Sequence, residues 1–165
     1  MAWRWRVGLR QTSARVDHFG AAGWIRVGVA VAIGGWYLAV AGADGSRLHL
    51  KENILSAFKG YGVHLSGAVR ADLDSNRITG SNSTGVQAVN ARVQMRNDEL
   101  TALGNAIVSA EGARIELSDC RISRCGFALW AHKGTIVATG NDLRGNDKPM
   151  VTGAGGTIEE SDNQL

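Results

Sequence analysis

Residues 76–86, NRITGSNSTGV, and residues 141–151, NDLRGNDKPMV, both begin with asparagine, one variable residue, and then Ile or Leu. The same short pattern recurs through the last three-quarters of the chain, with Asp or Cys replacing Asn in two copies. The six copies begin at Asn53, Asn76, Asp98, Cys120, Asn141 and Asn163. Successive copies are 23, 22, 22, 21 and 22 residues apart. A fixed period of this size predicts a solenoid, in which each repeat forms one turn of a rod.

Within each repeat, apolar and polar residues alternate in short stretches. Apolar residues stand five and three positions before each copy of the pattern, as at Val93 and Met95, with Glu160 before the last copy as the one exception. A further stretch, about ten residues after each copy, is predicted to point inward at Val63/Leu65, Val86/Ala88, Val108/Ala110, Leu129/Ala131 and Val151/Gly153. Alternation with a period of two predicts strands. The Ile or Leu of the repeated pattern marks a further strand, so three short parallel strands are predicted per turn. The Asn residues of successive copies should stack in a column at a bend, where their side chains are predicted to form a ladder of hydrogen bonds.

The runs at residues 76–86 and 141–151 resemble repeats of right-handed parallel β-helix proteins, the pectate-lyase-like superfamily. The resemblance covers residues 46–165 and implies a mainly β fold, a right-handed parallel β-helix of about six coils. The superfamily includes lyases, hydrolases, epimerases, sugar-binding proteins, adhesins and scaffolds. The resemblance therefore implies a fold without selecting one activity.

The basic character of the chain is confined to its N-terminal segment. Residues 1–26 contain five arginines and one aspartate, a net charge of +4, whereas the remaining residues have a net charge of −1. A nucleic-acid-binding domain usually carries a positive surface on its folded part. The near-neutral repeats argue against a nucleic-acid partner.

An uncharged run over residues 27–43, VGVAVAIGGWYLAVAGA, predicts a membrane-spanning helix over residues 24–43. The division of the chain is then a cytoplasmic arm at 1–23, the helix, and a β-helix domain at 44–165. The arginines before the run predict a single-pass protein of the inner membrane, with the N-terminus in the cytoplasm and the β-helix on the periplasmic side. A cleaved signal peptide ending at Ala39-Val40-Ala41 is the alternative, although 26 residues before the apolar run exceed what export needs.

Small residues recur at helical spacing within this run. The residues four apart include Gly28 with Ala32 and Gly35 with Ala39. Such spacing lets two helices approach closely in lipid. If the run is a helix, these four residues are predicted to pack against a partner helix.

The sequence contains no motif that indicates catalysis. The repeats vary only from 21 to 23 residues, so long loops that would wall a substrate cleft are not predicted. No metal-ligand spacing or dinucleotide fingerprint occurs, so neither a metal site nor a cofactor is predicted. Cys120 and Cys125 are expected to be free buried thiols, since extended residues would hold them too far apart for a disulfide.

One outward surface is predicted to bind a partner or a glycan. It comprises His64, Gln87, Trp130 and His132, where aromatic side chains can stack on a sugar or on a protein. The leading functional hypothesis is a membrane-anchored accessory or scaffold subunit, whose β-helix packs on a larger integral-membrane complex and whose span contacts the bilayer. The alternatives are a module that binds envelope polysaccharide, or a small lyase or epimerase.

Overall fold

Three parallel β-sheets run the length of the rod. The computed structural model describes residues 16–19, 24–27, 31–33, 38–43 and 45–165, and these residues form nineteen strands. Sheet A contains β1 (Val16–Phe19), β2 (Trp24–Val27), β5 (Arg47–Lys51), β8 (Arg70–Asp74), β11 (Arg92–Arg96), β14 (Arg114–Ser118), β17 (Thr135–Thr139) and β19 (Thr157–Ser161). Sheet B contains β3 (Val31–Ile33), β6 (Ile54–Ser56), β9 (Arg77–Thr79), β12 (Glu99–Thr101) and β15 (Arg121–Ser123). Sheet C contains β4 (Leu38–Gly42), β7 (Tyr61–Ser66), β10 (Thr84–Val89), β13 (Asn105–Ala110), β16 (Phe127–His132) and β18 (Lys148–Gly153).

Each strand pairs in parallel with its equivalents one repeat earlier and one repeat later. Among the strands that the structure describes, β1 alone is antiparallel, in its pairing with β2. The repeat period therefore becomes the coil of a β-solenoid, and the predicted arrangement of about six coils is confirmed. Inward residues stack into columns such as Leu55, Ile78, Leu100 and Ile122, each at most 1% exposed. No single coil could bury these side chains, so stacking of neighbouring coils supplies the core.

The predicted helix over residues 24–43 is not supported by the structure. The described residues of that range are strands β2, β3 and β4, which pair with β5, β6 and β7 of the next coil. The physical reason is visible in the run VGVAVAI, where β-branched residues alternate with Gly or Ala at a period of two. Such alternation favours strands, and strands covered on both faces can read as continuous apolar runs. The described residues contain no helix that is long and apolar enough to cross a membrane.

The four residues predicted to pack against a partner helix do not share one face in the described structure. Ala32 lies in β3 and Ala39 lies in β4, so these two residues belong to different sheets. Gly28 and Gly35 lie outside the described residues, as do residues 1–15 of the predicted cytoplasmic arm.

The register of sheet C differs by one residue from the prediction in two coils. Ile107 and Ser109 point inward instead of Val108 and Ala110, and Met150 aligns with the inward residue Leu129. The cause is the turn between sheets B and C, which is one residue shorter in the coil of Leu100 and in the later coils than in the earlier ones. The buried Ser109 hydroxyl donates to the carbonyl of Ala113 at 2.9 Å, which satisfies a polar group inside the core.

The Asn column forms the predicted ladder, but the ladder is interrupted. The side-chain amide of Asn76 donates to Asp98 Oδ1 at 2.8 Å and to the carbonyl of Leu50 at 3.0 Å. The amide of Asn141 likewise donates to Asn163 Oδ1 at 2.8 Å. Cys120 carries no side-chain oxygen for the preceding coil, and its thiol donates to the carbonyl of Ser118 at 3.3 Å. The chain of side-chain hydrogen bonds therefore stops between Asp98 and Cys120.

At this interruption, Asp98 has one carboxyl oxygen without a hydrogen-bond partner. Asp98 is 1% exposed, its Oδ1 accepts two hydrogen bonds from Asn76, and its Oδ2 is buried with none. In the coils of Asn76 and Asn141 the corresponding atom is an amide nitrogen that donates to a backbone carbonyl. Desolvation by burial raises the pKa of Asp98 to about 6, against an opposing effect of the hydrogen bonds from Asn76.

Candidate functional site

The outer face of sheet C is built from three rows of side chains that run along the rod. Its strands contain two consecutive buried residues, such as Gly62 and Val63 in β7, and this places residues three apart on the same face. Tyr61 and His64 consequently contact each other on the outside, with ring centroids 5.0 Å apart. The rows are Tyr61, Thr84, Asn105, Phe127 and Lys148; His64, Gln87, Val108, Trp130 and Val151; and Ser66, Val89, Ala110, His132 and Gly153.

All four residues of the predicted binding surface lie on this face. His64, Gln87 and Trp130 occupy the central row, and His132 occupies the adjacent row. His64 and Trp130 are separated by three coils, about 14 Å at the usual strand spacing. The two histidines and the tryptophan therefore form one surface, but His64 is too distant from Trp130 and His132 to share a ligand atom with them.

An aromatic cluster forms the centre of the face near β16. The Phe127 and Trp130 rings are stacked with centroids 5.7 Å apart, and Trp130 meets His132 edge-on at 6.0 Å. Lys148 places its ammonium group 5.2 Å from the Phe127 centroid. Val108 lies one coil before Trp130 and is only 5% exposed although it points outward. The cluster is thus a packed, half-buried surface rather than a set of isolated side chains.

The face differs from the rest of the rod in its lack of charge. From β7 to β18, the strands of sheet C contain one lysine, two histidines and no acidic residue. The six strands of sheet A from β5 to β19 contain eleven charged side chains of both signs. Depletion of charge with enrichment of aromatic residues is typical of the central part of a protein interface.

Sequence reasoning missed Tyr61, Phe127 and Lys148 as members of this face. Strict alternation places them on the opposite side from His64 and Trp130, and only the paired buried residues in each strand bring them together. A signal was present in the sequence, because apolar or small residues occupy two successive positions at the same place in each repeat, as in Ala128-Leu129.

The remaining candidates for chemistry do not form a site. Cys120 and Cys125 are free and buried, as expected, and burial raises the pKa of the Cys120 thiol to about 12. A thiol in such surroundings is a poor nucleophile. The described residues contain no group of three metal-ligating side chains. The Asp98 carboxyl is enclosed in the core, where a substrate has no access to it.

Comparison with known proteins identifies a family and no individual relative. A family model described as a right handed beta helix region matches residues 38–165, more than half of the chain. No curated protein and no solved structure gives a significant match. The match begins at β4, within the segment for which the sequence had predicted a membrane-spanning helix.

Proposed function

This chain belongs to the right-handed beta-helix family, and on that premise we propose that it is a non-enzymatic accessory or scaffold subunit that docks on a larger complex through the outer face of sheet C. The observation that carries the proposal is the combination of missing acidic groups and clustered aromatic rings on that face. A face with one lysine and no carboxylate can be desolvated at a lower cost than the faces of the rod that carry many charges of both signs. The parallel coils supply a rigid support, so little conformational entropy is lost on binding.

Binding rather than catalysis is proposed because the face has no place for acid–base chemistry. Among the described residues of β7 to β18 in sheet C there is neither Asp nor Glu, and His64 and His132 lie on strands three coils apart. A substrate held there would meet a flat surface with solvent access from above.

The proposed subunit is also held at the inner membrane by a single span over residues 24–43, and this part of the proposal rests on the sequence alone. Residues 27–43 contain no charged side chain, and residues 1–26 carry a net charge of +4. A spanning helix and the coil formed by β2, β3 and β4 use the same residues, so they are alternative arrangements of this segment. Extraction of cell membranes with alkaline carbonate distinguishes them, since a spanning helix stays in the pellet and a segment packed as a coil is released.

A pair of isosteric substitutions tests docking. Gln87→Glu introduces a carboxylate into the centre of the uncharged face, and Gln94→Glu introduces the same carboxylate on the exposed face of sheet A. Desolvating an unpaired carboxylate at an interface costs about 2–5 kcal/mol, so Gln87→Glu should weaken association at least tenfold. The Gln94→Glu variant should retain the partner in the same stoichiometry as the wild-type chain.

The measurement is quantitative isolation of the tagged full-length chain from its own cells in mild detergent. Equal partner retention in the two variants would refute docking through sheet C. A wild-type chain that elutes alone would refute the scaffold function itself.

A second function is favoured by the aromatic cluster. Half-buried Trp130, stacked on Phe127 and next to His132, offers an aromatic surface to a sugar ring. Envelope polysaccharide binding predicts that Trp130→Ala abolishes retention on immobilised cell-envelope glycan while Gln94→Glu has no effect. Release of an unsaturated sugar product by the wild-type chain would instead assign a lyase.

A further inference from the structure

Four arginines stand in one straight row along the edge of sheet A. Arg47, Arg70, Arg92 and Arg114 are the first residues of β5, β8, β11 and β14, and each is paired in register with the next. We call this row the arginine file. All four residues are exposed, and neighbouring Cα atoms are about 4.8 Å apart, the spacing of paired strands. Like charges directly opposite each other on paired strands are destabilising.

Sheet B shows how this fold arranges charges that stabilise it. Its outward row alternates in sign from coil to coil, and Arg77 donates to Glu99 at 2.9 Å. In the next two coils, Arg121 lies 3.8 Å from Asp142. The arginine file lacks this alternation within its row. A local arrangement that opposes stability without an evident compensating gain is where a functional role is expected.

The charges of the file are only partly neutralised by the protein. Arg114 donates to Glu116 at 2.7 Å, and Arg47 also has a partner. Among the described residues, no ion pair is formed by Arg70 or Arg92. These two central arginines border a shallow depression of about 330 Å³ together with Asn90 and Gly112. The guanidinium groups therefore present unused hydrogen-bond donors to an anion.

The position of the file indicates the kind of anion. Arg70, Arg92 and Arg114 each follow a short turn that leaves sheet C. The sheet C residues before these turns are Ser66, Val89 and Ala110, so the file borders an uncharged row, and Trp130 lies one coil beyond Arg114. A basic row beside an uncharged surface with apolar side chains is typical of proteins that lie on an anionic bilayer. In the described part of the chain, the turns before Arg70, Arg92 and Arg114 are two or three residues long and form no wall that could enclose a polymer chain. A lipid surface, in contrast, can place headgroups against all four arginines at once.

We propose that the arginine file is a docking edge for an anionic membrane surface, with the rod lying along the bilayer and the headgroup phosphates and carboxylates contacting Arg47, Arg70, Arg92 and Arg114. The proposal rests on the membrane location proposed above and specifies how the rod meets the bilayer. It can fail separately from docking through sheet C, because Gln87→Glu leaves the file intact.

The test uses the full-length chain and vesicles in which about a third of the lipid is phosphatidylserine, at about 0.1 M salt, where exposed charges are not yet fully screened. Each arginine near an anionic surface contributes about 5-fold in binding, so Arg70→Gln/Arg92→Gln should weaken co-sedimentation about 25-fold. The matched control is Arg77→Gln/Arg121→Gln, which removes the same net charge from sheet B and should change binding less than about 3-fold. Binding to vesicles of phosphatidylcholine alone, which measures insertion of the uncharged residues 27–43, should be the same for the wild-type chain and both variants and is subtracted.

Three results would overturn the assignment. They are no binding by the wild-type chain, equal losses in the two double variants, or binding to soluble dextran sulfate that is tighter than binding to the vesicles. The urea midpoint of Arg92→Gln serves as the control for correct folding. It should equal or exceed that of the wild-type chain, because the substitution removes a charge between Arg70 and Arg114. A lower midpoint would contradict the claim that the file opposes stability.

Discussion

Replacement of Asp98 by asparagine should stabilise the rod at neutral pH and have little effect in acid. The pKa of Asp98 is about 6 in the folded chain, against 3.8 for an unperturbed carboxyl. The folded state thus binds the proton more tightly than the unfolded state. The stability from this proton is fully present below about pH 4 and is lost as the pH rises through about 6. A difference of about two pKa units corresponds to about 3 kcal/mol, the cost of burying the ionised carboxylate above pH 7.

The geometry of the ladder explains why asparagine fits this position. Its amide would stand where Asp98 Oδ2 now has no partner, and the equivalent amide of Asn76 donates to a backbone carbonyl. The groups that influence the carboxyl are Asn76 and Asp74 of the preceding coil and Cys120 of the following coil, together with the backbone of Arg96. None of these supplies a positive charge to an ionised Asp98.

The assay is urea unfolding followed by far-UV circular dichroism at pH 4 and pH 8. Asp98→Asn should exceed the wild-type chain by about 3 kcal/mol at pH 8 and by less than about 1 kcal/mol at pH 4. Asp119→Asn, a neighbouring exposed carboxyl, is the control and should change stability by less than about 0.5 kcal/mol at either pH. If Asp98→Asn is no more stable than the wild-type chain at pH 8, or if its gain is the same at both pH values, the reasoning is refuted.

Three further outcomes test the packing and the buried groups. Ile115→Asp should unfold the rod, because it places an unpaired charge in a fully buried column. Gln94→Ala, at an exposed position, should leave the urea midpoint unchanged. Equal effects of the two substitutions would mean that the inward and outward residues are misassigned. Gly85→Ala should lower the free energy of unfolding by about 1–3 kcal/mol, since a Cβ there would lie 2.7 Å from the carbonyl oxygen of Ala106. Gly104→Ala, where the atom nearest to the added Cβ is 3.4 Å away, should have a smaller effect when both variants are compared by thermal unfolding. Iodoacetamide at pH 8 should leave Cys120 and Cys125 unmodified in the native chain and should alkylate both in urea, because burial raises the pKa of both thiols. Rapid alkylation of the native chain, detected by mass spectrometry, would contradict this.

The period of the sequence predicted the parallel coils because every repeat places the same residue type at the same bend. Asn53, Asn76 and Asn141 each occupy the ladder, and their spacing alone implies stacking. The helix predicted for residues 24–43 is not supported by the described strands of that range, and hydropathy alone does not distinguish a spanning helix from strands covered on both faces. The alternation of Val and Ile with Gly and Ala in residues 27–33 favours strands.

The candidate surfaces were predictable to different degrees. His64, Gln87, Trp130 and His132 follow from the repeat spacing, whereas Phe127 joins them only because two successive residues of β16 face inward. The arginine file was readable in the sequence, since Arg47, Arg70, Arg92 and Arg114 each stand six residues before a copy of the repeated pattern. The buried, unpartnered Oδ2 of Asp98 could not be predicted from the sequence, because its environment depends on the atoms of two neighbouring coils.

Because each coil pairs in register with one coil before it and one after it, the length of the rod is set by the number of coils. Removal of residues 77–98 would join Asn76 to Glu99-Leu100 and recreate the repeated pattern, so that β8 would meet β14 in the register that β11 now occupies. Such a change shortens the molecule by about 4.8 Å and leaves its cross-section unaltered. The length of the rod therefore changes in whole coils, by duplication or loss of one repeat at a time.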